Sequence, residues 1–362
     1  MDHLKLRHDL DVFLTRALND DLRHRWREQG FVDRSFWTSF AHAGFLGMSI
    51  PVRYGGGGGD FRHEVAIIEG LMKHRAAGLS VPLHNAVVAP YIVADAREDM
   101  RREWLEKAVS GETILAIAMT EPGAGSDLQA IRTTAVHESG GYRINGQKTF
   151  ISNGMVADLV LVACKTDRDA GAKGVSIIAV ETTRHGFERG RLLDKIGQHA
   201  RDTAELFFRD VWVPEENLLG EEGRGFAMLM EKLPQERMVI ACQALAMMEL
   251  AVSETRAAFP ASSGFALAEA VTETRIARAF VDNCVARLLA GELDTSTASM
   301  AKYWTTEAQA RVLDKCLGLF EAHGFVGANP IAELHRDARA YRLYGGTTEI
   351  MKTIIARSMR DG

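Results

Sequence analysis

The sequence predicts a mostly α-helical α+β protein, in which a strand-rich segment lies between two helical ones. Apolar and charged residues recur at helical spacing from the N-terminus to about Ser110, as in residues 11–18. Between about Ile114 and Leu219 short apolar runs of strand length replace them. From about Gly225 long Ala-, Leu- and Met-rich stretches return. The predicted domains are an N-terminal helical domain at 1–113, a central β domain at 114–220 and a C-terminal helical bundle at 221–362.

Local signals predict the single elements. Five consecutive glycines within residues 53–60 predict a loop, because glycine loses much conformational entropy inside a helix. Residues 142–151 alternate around Asn145-Gly146, which predicts a hairpin turn at that dipeptide. Apolar runs predict strands at 160–163, 175–180 and 206–213. Breaker-poor stretches predict helices at 238–252, 267–290 and 299–319.

Composition excludes several classes of protein. The formal net charge is −5 and the positive residues are scattered, so nucleic acid is not indicated as a partner. Residues 1–8 are charged and lack the apolar core of a signal peptide, which favours a cytoplasmic location. The apolar run at 238–252 is too short to cross a bilayer and is interpreted as a core helix. The cysteines are far apart in the chain, which predicts buried thiols rather than a disulfide framework or a metal site; they are Cys164, Cys242, Cys284 and Cys316.

Two glycine-containing segments have the composition of ligand-binding loops. In residues 118–127 small residues let backbone amides approach a ligand, and Thr120 and Ser126 add hydroxyls. An ordinary turn at a strand edge is the alternative. In residues 344–351 paired glycines precede two threonines, as in a helix N-terminus that binds phosphate or a carbonyl oxygen. A simple N-cap formed by Thr347 or Thr348 is equally compatible.

Two further positions are candidates for chemistry. Phe150 could lay its ring on a flat cofactor while Ser152 donates to it, or Phe150 could simply pack in the core. Glu236 precedes a nearly apolar helical stretch, where a desolvated carboxylate suits the role of a base. Alternatively, Pro234 opens a helix, Glu236 lies in its first turn, and pairing with Arg237 or solvation explains the carboxylate.

In this order and at these separations the segments resemble the acyl-CoA dehydrogenase family over nearly the whole chain, and they are most similar to its long-chain branch. The matching segments are 116–128, 146–154, 202–208, 218–226, 233–237, 278–284, 300–304 and 344–352. The resemblance implies an N-terminal helical domain, a central β-barrel-like domain and a C-terminal four-helix bundle. It also implies FAD as cofactor, oxidation of acyl-CoA to trans-2-enoyl-CoA, and electron-transferring flavoprotein as acceptor.

The resemblance further implies roles for single residues. Thr120 and the backbone of Met119 would hydrogen-bond the pyrimidine side of the flavin, and the Phe150 ring would lie against the isoalloxazine. Ser152 would reach N5. Ser126 and Thr347 would lie near the pyrophosphate and Glu349 near the adenosine end. Substrate-binding roles are implied for Ser126, Arg237 and Gly345.

The catalytic base is assigned by the same resemblance. Many members carry a glutamate directly after the tyrosine that corresponds to Tyr344, and this chain has Gly345 there. The long-chain motif Leu-Pro-Gln-Glu-Arg is present at 233–237 and makes Glu236 the expected base. Glu236 would take the α-proton while a β-hydride passes to flavin N5, and the Gly345 N–H would hold the thioester carbonyl.

Two departures from the family predict a changed assembly. The Arg-x-x-Phe-Gly segment that usually reaches the FAD of a neighbouring subunit is missing from residues 254–269. A second such element, Gln-x-x-Gly-Gly-x-Gly, has lost its glutamine and paired glycines at residues 318–324. We expect pairing with a different dehydrogenase-like subunit, or a rearranged homodimer. Two other functions remain compatible with the sequence: dehydrogenation of an acyl group on a carrier protein, and a non-catalytic subunit.

Overall fold

The computed structural model describes residues 2–259, 264–325 and 329–360. Its helices are α1 His3–Ala17, α2 Asp20–Gln29, α3 Arg34–His42, α4 Phe61–Lys73, α5 Ala89–Asp95, α6 Glu98–Ser110, α7 Gly225–Ala258, α8 Phe265–Leu289, α9 Thr295–Gly318, α10 Pro330–Ala338 and α11 Thr348–Ser358. Its strands are β1 Leu115–Ala118, β2 Thr134–Glu138, β3 Gly141–Ser152, β4 Leu159–Lys165, β5 Val175–Glu181, β6 Phe187–Leu192, β7 Thr203–Pro214 and β8 Leu218–Leu219. The predicted fold class and the helix–strand–helix order are confirmed.

One compact unit, the sheet unit, comprises Met1–Glu64, Ala77–Asp194 and His199–Lys232. It contains the whole sheet, in the order β6-β7-β3-β2-β4-β5-β8, with β1 paired in parallel to β4. Every residue of β4 is buried, which explains why its sequence is an apolar run rather than an alternation. The sheet core packs aliphatic side chains of β1, β4 and β5 with aromatic ones of β3 and β7. β1 ends where the loop at residues 119–127 begins.

The predicted hairpin turn at Asn145-Gly146 is wrong. Strand β3 continues through it, and the dipeptide lies at a register shift against β7, which is a β-bulge. A Cβ on Gly146 would lie 2.4 Å from Thr133 Oγ1, so close packing requires the glycine. The two-residue turn between β2 and β3 is Ser139-Gly140, with φ of 46° and 76°. Both values are left-handed, as a type I′ hairpin turn demands.

The second compact unit, the helical unit, comprises Val65–Ala76, Lys195–Gln198 and Leu233–Gly362. It contains α8, α9, α10, α11 and most of α7. Arg278 on α8 joins three carboxylates, donating to Glu69 at 2.9 Å, Glu249 at 2.6 Å and Asp282 at 3.1 Å. The unit is therefore held by a charge network as well as by its apolar helix faces.

Helix α7 begins earlier than the sequence indicates. Because it starts at Gly225, Pro234 lies inside the helix and Glu236 is not in a first turn. The interpretation of Glu236 as a first-turn carboxylate is therefore wrong. In the described part of the chain α7 is the one helix long and apolar enough to cross a membrane by length and composition, and 78% of that window is buried in the protein. Burial, rather than shortness, identifies its apolar stretch as a core helix.

The four cysteines are free and buried, as predicted. Burial raises the pKa of the Cys164 thiol to about 12. Among the described residues, no group of three or more histidine, cysteine, aspartate or glutamate side chains could hold a metal ion.

Candidate active site

The loop after β1 is folded into a tight turn. The N–H of Glu121 donates to the Ala124 carbonyl at 2.8 Å, and the N–H of Ala124 donates back at 3.1 Å. The carbonyl of Thr120 accepts from the Thr149 N–H on β3 at 2.9 Å, which fixes the loop against that strand. Within the described residues the hydroxyls of Thr120 and Ser126 have no hydrogen-bond partner. The backbone of this loop is thus ordered while its hydroxyls stay available.

A buried ion pair between Lys148 and Glu121 anchors this loop to β3. The sequence did not predict this pair. Lys148 Nζ donates to Glu121 Oε1 at 2.8 Å, to the Met119 carbonyl at 3.0 Å and to the Ala163 carbonyl at 2.6 Å. The two side chains are 0% and 6% exposed. Burial alone would raise the pKa of the Glu121 carboxyl, but the Lys148 ammonium and the donated hydrogen bonds outweigh it and hold that pKa below its ordinary value. Burial lowers the pKa of Lys148, and the Glu121 carboxylate opposes that shift. The Lys148 side chain ties together β3, the loop after β1 and β4.

Phe150 does not pack in the core. Its side chain is 67% exposed and its φ is +58°, a left-handed value that is rare for a bulky residue. It lies in a second β-bulge of β3, where the register against β7 shifts between Lys148 and Ile151. Bulges of this kind redirect a side chain and are common next to active sites. The hydroxyl of Ser152, two residues on, also has no partner within the described residues.

Glu236 and Arg237 are both buried on α7, at 8% and 3% exposure. Arg237 Nη1 donates to Ser299 Oγ at 3.2 Å, and its Nε has no partner within the part of the chain that the structure describes. Burial lowers the pKa of Arg237 to about 10, although the neighbouring Glu236 carboxylate opposes that shift. The apolar helix therefore holds a carboxylate and a cation side by side, largely withdrawn from water.

The turn before α11 approaches the same face of α7. Gly345 and Gly346 have φ of 64° and 94°, and a Cβ on residue 345 would lie 2.1 Å from Ile240 Cδ1. Ile240 stands one helical turn after Glu236, so both side chains project from one face of the helix. The structure thus places Gly345 beside the face of α7 that carries Glu236. It also shows that Ile240 fills the space which a side chain at 345 would need.

The remaining predicted residues lie at the start of α11. Thr347 is the N-cap, and its hydroxyl accepts from the Ile350 N–H at 3.3 Å. The N-cap alternative for this segment is confirmed, and Thr347 rather than Thr348 forms it. Glu349 is exposed in the first turn.

The sequence also did not predict a role for two charged residues of α9. Lys302 and Glu307 lie on α9 and both bind the turn at residues 345–348. The available signal was weak: Lys302 stands four residues after buried Ala298 and three before buried Thr305, so it occupies the apolar face of its helix. A charged residue at such a position indicates a specific partner.

The residues of the sheet unit fit a flavin. An exposed aromatic ring, held in a strained backbone conformation, suits the face of a planar heterocycle. The hydroxyls of Thr120, Ser126 and Ser152 are donors and acceptors of the kind that an imide ring system and a pyrophosphate require.

Comparison with known proteins agrees with this chemistry. The family models for the acyl-CoA dehydrogenase N-terminal, middle and C-terminal domains match residues 1–112, 116–211 and 223–360. The chain is 41% identical over 348 residues to the mitochondrial long-chain specific acyl-CoA dehydrogenase of Sus scrofa, covering 92% of this chain and 81% of that protein.

Solved structures give the same result. The acyl-CoA dehydrogenase of Geobacillus kaustophilus superposes with a TM-score of 0.95 at 43% identity, covering 99% of this chain and 98% of that one. A prolyl acyl carrier protein oxidase superposes with a TM-score of 0.92 at 25% identity, covering 99% of this chain and 98% of that one. The resemblance to the long-chain branch is confirmed, and the chain belongs to the acyl-CoA dehydrogenase family of flavoprotein oxidoreductases that act on CH–CH bonds.

Proposed function

We propose that this protein removes two hydrogens from Cα and Cβ of an acyl-CoA thioester, with Glu236 as the catalytic base. The observation that carries the proposal is the buried Glu236 on the face of α7 that Gly345 adjoins. Burial withdraws the carboxylate from water, and a side chain of this type can accept a proton from a substrate carbon held beside it.

The chain's own residues act in three ways. Glu236 accepts the α-proton on its carboxylate. The backbone N–H of Gly345 donates to the thioester carbonyl oxygen and so favours the enolate character that develops as the α-proton leaves. Arg237 lies beside Glu236 and holds positive charge close to the base. Because only a backbone N–H is needed at 345, the glycine does not disable this contact.

FAD, when bound, supplies the acceptor for the β-hydride. Met119, Thr120, Ser126, Phe150 and Ser152 would hold it on the sheet unit. Family membership also assigns Thr347 to its pyrophosphate and Glu349 to its adenosine end. Ser126 and Arg237 are also proposed to bind the substrate. The Lys148–Glu121 pair keeps the Met119–Thr120 backbone in place. Electron-transferring flavoprotein is the proposed electron acceptor, on the ground of family membership.

The test is the flavin absorption spectrum of the purified protein before and after anaerobic addition of acyl-CoAs of increasing chain length. We expect a bound yellow flavin that bleaches with a subset of them. Glu236→Gln should bind the same acyl-CoA without bleaching, because the amide cannot accept the proton. Glu231→Gln, an exposed position earlier on α7, is the matched control and should bleach normally. Normal bleaching by Glu236→Gln would remove Glu236 as the base.

A carrier-bound acyl group is the second candidate substrate. The likeness to a prolyl acyl carrier protein oxidase favours it, although at 25% identity. The chemistry would be unchanged, since only the group that carries the acyl thioester differs. Comparing bleaching by one acyl group on CoA and on a carrier protein separates the two: reaction with the CoA thioester alone supports the first proposal. A non-catalytic subunit would bleach with neither.

A further inference from the structure

Lys302 is a buried cation to which the proposed chemistry gives no task. It is 0% exposed on α9, and its Nζ donates to the Gly346 carbonyl at 2.6 Å. Charged groups that act on it are Arg237 on α7, Glu307 on its own helix and Glu349 on α11. Burial and the Arg237 charge lower its pKa to about 8. Burying an ammonium group costs solvation free energy. Because Lys302 donates to the Gly346 carbonyl in spite of this cost, we infer that its role is to hold that carbonyl in place.

Glu307 provides a second anchor, five residues further along α9. Its Oε1 accepts from Thr348 Oγ1 at 2.9 Å, and its Oε2 lies 3.0 Å from Arg342 Nη2. The two α9 side chains therefore bind the turn at residues 345–348 near both of its ends. A turn of two successive left-handed glycines has many accessible conformations when it is not anchored. The anchors select one of them.

We propose that Lys302 and Glu307 are positioning residues that fix the Gly345 N–H for the thioester carbonyl. The proposal rests on the function proposed above. Neither residue touches the reacting atoms: Lys302 acts through the Gly346 carbonyl, and Glu307 acts through the Thr348 hydroxyl. An N–H donor stabilises developing negative charge only if it is already oriented when the charge forms, so loosening the turn weakens carbonyl recognition while the rest of the ligand still binds.

The first measurement is hydrogen–deuterium exchange of the purified protein without substrate. Lys302→Met removes the donor and the charge while keeping an unbranched apolar chain that is one atom shorter. We expect faster exchange in the peptide that covers residues 343–350. Lys315→Met is the matched control, because Lys315 is on the same helix and pairs with Glu269 and Glu273 instead of the turn. Unchanged exchange in Lys302→Met would overturn the proposal.

The second measurement separates orientation of the N–H from general damage. Calorimetric Kd values are taken for trans-2-hexadecenoyl-CoA, which has the carbonyl, and for S-hexadecyl-CoA, a thioether that lacks it. In Lys302→Met we expect the first Kd to rise about tenfold, which is about 1.4 kcal/mol, and the second to stay within about twofold. Equal weakening of both ligands, or of neither, would contradict a positioning role.

Two safeguards keep the test decisive. If Lys302→Met does not fold, Glu307→Leu removes the other anchor, because leucine cannot accept the hydrogen bond from Thr348 Oγ1, and it should give the same selective loss with a smaller amplitude. If the wild-type flavin bleaches with no acyl-CoA, the proposed function fails, whereas the exchange measurement still decides whether Lys302 holds the turn.

Discussion

Phe150 combines two features that are each uncommon for phenylalanine, namely high exposure and a left-handed φ. A backbone conformation of this kind costs of the order of 1–3 kcal/mol and persists where the surrounding structure enforces it. Here the enforcement comes from the bulge in β3 between Lys148 and Ile151. The exposed ring gains little from packing, so the strain at Phe150 is not repaid by stability. The simplest explanation is that the strained conformation serves the proposed contact with the flavin.

Phe150→Gly should therefore stabilise the flavin-free protein while weakening flavin retention. We expect the free energy of unfolding to rise by about 1 kcal/mol, since glycine adopts φ near +58° without strain. Val136→Gly is the control: Val136 is also exposed on a strand but has no left-handed φ, and its loss should destabilise. Urea unfolding and the flavin-to-protein ratio measure the two effects. Equal destabilisation by both variants would show that Phe150 is not strained.

The position of the proposed catalytic base also depends on single residues. The sequence shows that residue 345 is glycine and that residue 236 is glutamate. It could not show that Ile240 Cδ1 occupies the place of a Cβ on residue 345, because that depends on how α7 packs against a turn about 100 residues later. The unused position has been filled by the helix that carries the proposed base.

Among the elements, the loop after β1 depends on one ion pair for its position. Lys148→Met leaves Glu121 as an unpaired buried carboxylate, so we expect a loss of about 3–5 kcal/mol in the free energy of unfolding. The exposed pair Arg191–Glu205 offers a control in the same sheet, and Arg191→Met should cost less than about 1 kcal/mol. Urea unfolding of both variants is the measurement. A Lys148→Met protein as stable as Arg191→Met would mean that the pair does not anchor the loop.

The π-helical segment Leu83–Val88 contains a histidine whose two nitrogens are both committed. His84 Nδ1 accepts from the Leu115 N–H at 3.1 Å, and its Nε2 lies 3.2 Å from the Ala108 carbonyl, to which the neutral ring donates. Burial lowers the pKa of His84 to about 4. Protonation would replace the Nδ1 acceptor with a donor and break the contact to β1.

The free energy of unfolding should therefore decrease as the pH is lowered, because His84 becomes protonated. Because the folded pKa is below the unfolded value of about 6.5, the contribution is complete above pH 6.5 and is lost as pH falls towards 4. The difference corresponds to about 3 kcal/mol. Urea unfolding between pH 7.5 and 4.5 should show a smaller decrease for His84→Gln than for wild type. His137→Gln, at an exposed position on β2, should keep the wild-type slope; equal slopes in all three proteins would exclude His84.

Across the whole molecule, periodicity and apolar runs predicted the order of helices and strands because each depends on local pattern. The failures have tertiary causes. Gly146 was assigned to a turn because its dipeptide is typical of turns, whereas packing against Thr133 required it. Lys148 and Lys302 were missed because their partners are distant in sequence: the Ala163 carbonyl lies 15 residues from Lys148, and the Gly346 carbonyl 44 residues from Lys302.

Assembly is the whole-molecule property that the departures from the family predict to be altered. Residues 260–263 of the shortened segment lie outside the described residues, and α9 ends at Gly318, where the second altered element begins. We expect the chain purified alone to retain less than one FAD per subunit and to gain flavin with a second dehydrogenase-like subunit. Native mass and the flavin-to-protein ratio test this. A homotetramer with one FAD per subunit would contradict it.

The buried thiols can be used to detect local unfolding of the protein. With burial holding the thiolate population low, a thiol-reactive dye can label only molecules whose core has opened. Cys164 belongs to the sheet unit, and the other three cysteines, Cys242, Cys284 and Cys316, belong to the helical unit. Peptide masses after brief labelling would therefore show which unit opens first, without any engineered probe.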